Sequence, residues 1–312
     1  MQAELLCAWS LRAKNMHMKR HLYILLLALV SLPVYAEDIA TRVEPDRPGE
    51  GTGTHVLDRG LVQWESGIEV AHFDDTHPLT LPTTLLRFGV CKWAELRLEY
   101  TGALVVEDDV SGYTYKMPRA KYYPGPLWLG AKFGVWGGSD EQGLQWIPRT
   151  SVMVNVGLPL TKQMAYDMPI SGKIDVLFEN DLTDWLTLGY ELGVHWELWI
   201  PEPTIFAALG LNFAVNDKIG LFIESFNNIA PEFPLPGPPE EDSKKRYFIG
   251  NANLDLGATF LVHPHVQLDV YAGCNLFSSF SSYTEPANSV FVGMGVSWLI
   301  TEPENAQPKK NN

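Results

Sequence analysis

Between residues 61 and 300 the chain alternates apolar and polar residues with a period of two, in stretches longer than ordinary globular strands. One parity of the first stretch runs Val62, Trp64, Ser66, Ile68, Val70, and the other Gln63, Glu65, Gly67, Glu69. After Trp93, Ala94, Leu96, Leu98 and Tyr100 face away from Glu95, Arg97, Glu99 and Thr101. After Trp185, Leu186, Leu188, Tyr190, Leu192, Val194, Trp196 and Leu198 oppose Thr187, Gly189, Glu191, Gly193, His195 and Glu197. Successive side chains of a strand point to opposite faces, so this period belongs to β-structure, and no stretch has a convincing helical period. Globular strands average about 5–6 residues, whereas one tilted across a bilayer needs roughly 9–11.

Further strands are predicted over 81–90, 127–136, 150–158, 172–180, 204–214, 218–226, 247–261, 266–276 and 289–300. With the first three they make about twelve, an even number as in bacterial outer-membrane barrels. Tight turns at 91–92, 181–184, 215–217 and 262–265 alternate with longer polar loops at 74–80, 107–123, 159–169, 231–246 and 277–288. Two connections strain this alternation: 137–148 is long for a turn, and 201–203 is short for a loop. The rival is a secreted β-sandwich, which also alternates but turns its polar parity to water. Strand length favours the barrel, as do aromatics near the ends of the apolar faces (Trp64, Tyr100, Trp196, Trp298). The predicted fold is all-β: a transmembrane antiparallel up-and-down β-barrel of about twelve strands, with short turns and both ends on the periplasmic side.

Ahead of the strands, Lys19-Arg20 precedes an uncharged apolar run from Leu22 to Val34, followed by Val34-Tyr35-Ala36. A basic start, a short apolar run and small residues before a cut make a signal peptide. The run, broken by Pro33, is too short for a membrane helix of about 20 residues. Met18 is the better start, so residues 1–36 are expected to be a misassigned start plus a removed signal. Residues 37–60 form a polar, Pro/Gly-rich periplasmic lead, 61–300 the barrel, and 301–312 a disordered polar tail. The formal charge is −14, which argues against a nucleic-acid partner. Removing residues 1–36 takes away more bases than acids and leaves the rest more acidic. Export permits disulfides. Cys91 falls at a tight turn, however, and Cys274 well up a strand, so two unpaired thiols are expected.

Several segments resemble one family in their order and spacing. They are Pro45-Asp46-Arg47-Pro48, Leu61-Val62-Gln63-Trp64-Glu65-Ser66-Gly67, Thr84-Leu85-Leu86-Arg87-Phe88-Gly89 and Ala94-Glu95-Leu96-Arg97-Leu98. Gly220-Leu221-Phe222-Ile223-Glu224, Gln267-Leu268-Asp269-Val270 and the ending Val292-Gly293-Met294-Gly295-Val296-Ser297-Trp298 complete the set. The chain resembles the outer-membrane transporter-like proteins grouped with the phenol-degradation meta-pathway (MetA-type) family. The resemblance implies a barrel that moves small aromatic or hydrophobic molecules across the outer membrane of a Gram-negative-type bacterium. The tail beyond residue 301 departs from that pattern.

The polar parity then becomes a lumen. Glu65, Glu69, Arg87, Arg97, Glu99, Glu191, Glu224 and Asp269 are the candidate lumen-lining residues. Acids outnumber bases, which favours cations in an open pore. For Glu65, Arg87, Arg97 and Glu99 the favoured reading is bracing, because the first three strands are neighbours and can pair opposite charges across the wall. His263-Pro264-His265, with His72 and His77, lacks the three or four converging ligands of a zinc site, so neither metal nor cofactor is expected. No catalytic residue is assigned and no enzyme is expected. Ser66 and His72 stand about 20 Å apart at strand rise, and there is no Gly-x-Ser-x-Gly elbow. The expected partners are outer-membrane lipid and a small solute. The alternatives are a structural or adhesion barrel without transport, or a barrel-embedded lipid hydrolase.

Overall fold

The computed structural model describes residues 42–73, 78–107, 119–137, 147–160, 162–163, 166–167, 170–197, 200–231, 248–279 and 289–300. Residues 1–36, expected to hold a signal, and residues 301–312, expected to be a tail, lie outside the described residues. The strands are β1 (Val62–Phe73), β2 (Leu79–Cys91), β3 (Ala94–Glu107), β4 (Arg119–Trp136), β5 (Arg149–Leu158), β6 (Lys162–Gln163) and β7 (Tyr166–Asp167). They continue with β8 (Ser171–Thr183), β9 (Leu186–Glu197), β10 (Ile200–Asn216), β11 (Ile219–Pro231), β12 (Phe248–His263), β13 (Val266–Ser279) and β14 (Ser289–Leu299). Twelve close into one antiparallel barrel in chain order, and β1 seals it by pairing with β14. The short β6 and β7 pair only with each other, a hairpin within the 159–170 connection that the sequence pattern did not signal.

Closure fixes which parity faces which solvent. Leu192, Leu209, Leu256 and Val292 are each about 56% exposed on the outside, while Glu65, Arg87 and Lys132 are wholly buried inside. A leucine side chain left in water forgoes about 1.5–3 kcal/mol, so an apolar exterior this extensive suits lipid and not water. That arrangement excludes the sandwich, whose polar parity would be wet. Trp93, Trp136, Trp185 and Trp298 are exposed around the tight-turn end, where Trp93 stacks on Phe133 and Trp185 on Phe213. Toward the other end lie Trp196 and Tyr122, the latter hydrogen-bonded to Tyr100 (2.9 Å). Such belts sit at membrane–water boundaries.

Tight turns fall at Lys92-Trp93, Asp184-Trp185, Asp217-Lys218 and Pro264-His265, all at the end where β1 starts and β14 stops. Pro201 and Pro203, expected in a loop, instead lie within β10, where the ladder to β9 slips between Ile200 and Thr204. Proline cannot donate to a ladder, so it belongs at such an irregular strand end. Most of the 137–148 connection lies outside the described residues. Cys91 and Cys274 are both free thiols.

Candidate functional site

The lead enters the barrel. A segment with prolines at 45 and 48 and glycines at 49, 51 and 53 can build neither helix nor sheet, so its amides must find acceptors elsewhere. Wall carboxylates supply them. Glu65 accepts from the amides of Asp46 (3.2 Å) and Arg47 (3.1 Å), and Glu224 from Glu50 (2.8 Å) and Gly51 (3.0 Å). Glu191 accepts from Thr52 (2.8 Å) and Glu95 from Leu57 (2.9 Å). The lead's carbonyls meet wall donors in turn. Lys132 Nζ reaches Gly53 and His55 (2.9 Å each), Arg87 reaches Glu44 (2.8 Å) and His55 (3.0 Å), and Ser151 reaches Thr54 (2.6 Å). Partners on β1, β2, β3, β4, β5, β9 and β11 surround the segment, which places it in the lumen.

Both ends of this excursion are pinned near the tight turns. The Val43 amide donates to Pro264 (2.8 Å), and Val43 and Leu57 pack with Leu61 and Leu299 in a small apolar cluster. The returning chain runs so close to β2 that a Cβ on Gly89 would collide with the Asp58 carbonyl. At the far point of the excursion Gly49 has φ +99°, a left-handed conformation that glycine adopts without strain.

Two ionic clusters hold the lead. Asp46 pairs with Arg97, with Lys132 (2.9 Å) and more loosely with Arg87 (3.6 Å). Arg87 also binds Glu95 (2.8 Å) and Glu65 (3.3 Å), and Arg97 binds Glu95 (2.9 Å). Burial alone would raise the Asp46 carboxyl, but Arg87, Lys132 and Arg97 hold it far below the usual carboxylate range. On the other side Arg47 reaches Asp269 (3.3 Å) and Thr83 (3.0 Å) with its guanidinium 5.9 Å from the Tyr271 ring centroid. That guanidinium occupies the space beside Gly67 and Gly295, which a Cβ would fill.

Of the residues singled out from the pattern, Glu65, Arg87, Arg97, Glu191, Glu224 and Asp269 contact the lead as described. Glu69 accepts a hydrogen bond from Tyr271 (3.0 Å). Glu99 lies on the lumen parity of β3, opposite Leu85 and Trp128 in register. Partners missing from that set include Asp46 and Arg47 of the lead and Glu95, Lys132 and Ser151 of the wall. Glu95 and Lys132 sit on charged lumen parities and were findable there; Asp46 lies in a segment without period. Ser66 meets the Thr84 hydroxyl (3.3 Å), and His263 Nδ1 accepts from the His265 amide (3.2 Å). Among the described residues no three His, Cys, Asp or Glu side chains converge to hold a metal ion.

Beside the lead a cavity of about 440 Å³ runs along β8–β12, bounded by Glu179, Glu191, Asn212, Phe222, Glu224 and Thr259. Two more, of about 680 and 420 Å³, open at the tight-turn end against residues 54–58 and Arg42 respectively.

No protein-family model matches the chain, and no curated protein matches it in sequence. Solved barrels do match in shape. An outer membrane channel from Pseudomonas putida F1 superposes with a TM-score of 0.57 at 11% identity, covering 81% of this chain and 99% of that one. The NanC porin gives 0.48 at 6% identity, covering 75% and 98%. At such identities the likeness is one of fold.

Proposed function

We propose that the chain is an outer-membrane channel for a small solute, with residues 42–60 as a built-in plug. The observation that carries this reading is the lead itself. It is held inside a polar lumen by hydrogen bonds and ion pairs, yet leaves about 440 Å³ beside it. Paired charges can brace a structural barrel as well, but such a barrel has no use for a cavity left along its polar wall. In this reading residues 1–36 direct export and are removed. The polar lining is Glu65, Glu69, Arg87, Arg97, Glu99, Glu191, Glu224 and Asp269. The excess of acid on that lining favours cations, and the MetA-type resemblance adds an aromatic or hydrophobic body to the solute. Barrels of this size leave room only for a narrow path.

The test is conductance in planar bilayers. The native chain should pass small, infrequent currents, and a chain whose lead is loosened by Asp46→Asn should pass larger ones. Silence from both would favour a structural or adhesion barrel.

A further inference from the structure

Across β11–β14, inward aromatic rings face glycines. Phe222 stands directly opposite Gly257 in register, Tyr271 opposite Gly293 and Phe291 opposite Gly273, all on the lumen parity. A Cβ on any of these glycines would run into the ring opposite it. Each ring therefore lies folded over its neighbour's bare Cα, along the wall, where a larger residue would prop it into the bore. The rings also touch one another. Tyr271 and Phe291 have centroids 6.4 Å apart and Phe291 and Phe226 6.3 Å, tilted at 63° and 59° as aromatic pairs prefer. The space above Gly257 is shared by Phe222 and the Tyr271 Cβ, which joins Phe222 to the other three. Phe222 borders the 440 Å³ cavity, and Phe226 and Phe291 lie further from the tight turns.

From this geometry we infer that Phe222, Phe226 and Phe291 form a recognition strip for the flat ring of an aromatic solute, leading into the cavity beside the lead. The inference rests on the channel reading and deepens it. The family resemblance gives the solute an aromatic body, and the strip gives that body a surface. Tyr271 braces the strip but is itself engaged, with the Arg47 guanidinium 5.9 Å from its ring centroid and its hydroxyl on Glu69 (3.0 Å). Phe222, Phe226 and Phe291 carry no polar atom, so what they offer a solute is an apolar ring. Rings that served only to fill the barrel would stand into the bore and close the cavity, whereas these keep to the wall and leave it open. An aromatic guest gains from ring quadrupoles beyond the area it buries, and a saturated ring of the same size gains from area alone. Centroids spaced within aromatic contact range let such a guest exchange one ring for the next without returning to water. A cavity of about 440 Å³ is of the size that encloses a small ligand.

The experiment is uptake into liposomes that hold the full chain, with benzylamine and cyclohexylmethylamine as probes and protein-free liposomes as the baseline. The two probes share an ammonium, which suits the acid excess of the lining, and differ in whether the ring is aromatic and flat. Benzylamine should enter faster, by roughly twofold to tenfold. Phe222→Leu and Phe291→Leu keep an apolar side chain on the wall. Each should shrink that preference while potassium current in planar bilayers persists, and heat-modifiable gel migration reports whether each variant has folded. Equal entry of the two probes, or a preference unchanged in both folded variants, would overturn the strip. With potassium current intact, either result would leave the channel reading standing. No current and no uptake of either probe would remove both.

Discussion

Strands β2–β4 and strands β8–β12 both turn ionisable side chains into the lumen, but they differ in how charge is met. Arg149 reaches Glu179 and Asp181 of β8, while Asp175, Glu191, Glu224 and Asp255 form no ion pair with a lysine or arginine among the described residues. Arg87, Arg97 and Lys132 face Glu65, Glu95 and the lead's Asp46 in one buried network. The second set offers carboxylates to backbone amides and leaves two buried oxygens unpartnered. The difference separates two ways of holding the lead. A wall with matched charge grips the lead through ion pairs, and a wall with unmatched charge meets it through backbone amides alone.

The comparison breaks most visibly at Asp46. Asp46→Asn leaves three buried cations short of a partner, which costs the seated lead about 3–5 kcal/mol. Limited proteolysis within residues 42–60 should accelerate, and bilayer conductance should rise. Crowding the second anchor is the next largest effect. A Cβ on Gly295 would stand 2.5 Å from Arg47 Nε, so Gly295→Ala should push the guanidinium off Asp269 at about 1–3 kcal/mol, read by the same proteolysis. On the acidic wall the same kind of neutralisation should do little harm. Glu224→Gln keeps an acceptor for the amides of residues 50 and 51 and removes repulsion with Asp255. Lead seating should therefore hold or tighten, within about 1 kcal/mol.

The smallest expected effect is that of pH, because the Glu50 side chain is exposed and solvent screens its neighbours. Glu50 sits among Glu69, Glu224, Glu99 and Lys173, and its carboxyl is raised from 4.5 to about 7. An acid that keeps its proton more firmly in the seated state favours seating at low pH and loses that advantage as pH rises. Lead protection should therefore weaken between about pH 4.5 and 7. Asp46 is shifted the other way, so its contribution persists down into strong acid and does not mask the trend. Glu50→Gln should flatten the profile.

The sequence announces the wall far better than the plug. Strand identity and facing follow from a period of two, so Glu65, Arg87, Glu191 and Glu224 could be assigned to one face without coordinates. Parity alone could not distinguish a barrel from a sandwich; the closure of β1 on β14 does. The lead has no period to read. Its partners lie far along the chain (Glu224 is 174 residues from Glu50), and only closure brings them together. Bracing among Glu65, Arg87, Arg97 and Glu99 was foreseen as cross-strand pairing, but the structure runs much of it through Glu95 and Asp46, and Glu99 stands opposite Leu85 and Trp128. Pro201 and Pro203 read as a loop because proline interrupts a ladder, and here the interruption is a register slip inside β10.

That the lead occupies the lumen can be tested by tying it there. A Cβ built on Gly51 lies 3.5 Å from that of Ala208, within the separation a disulfide spans, and 2.6 Å from Glu224 Oε2, the end of a flexible side chain that must give way. Gly51→Cys with Ala208→Cys, in a chain whose native cysteines are replaced by serine and which also carries Asp46→Asn, should cross-link on mild oxidation in folded, bilayer-embedded protein. Conductance should be low while the bond is closed and rise when it is reduced. Failure of the pair to cross-link, or a current indifferent to the bond, would contradict a plug in the lumen.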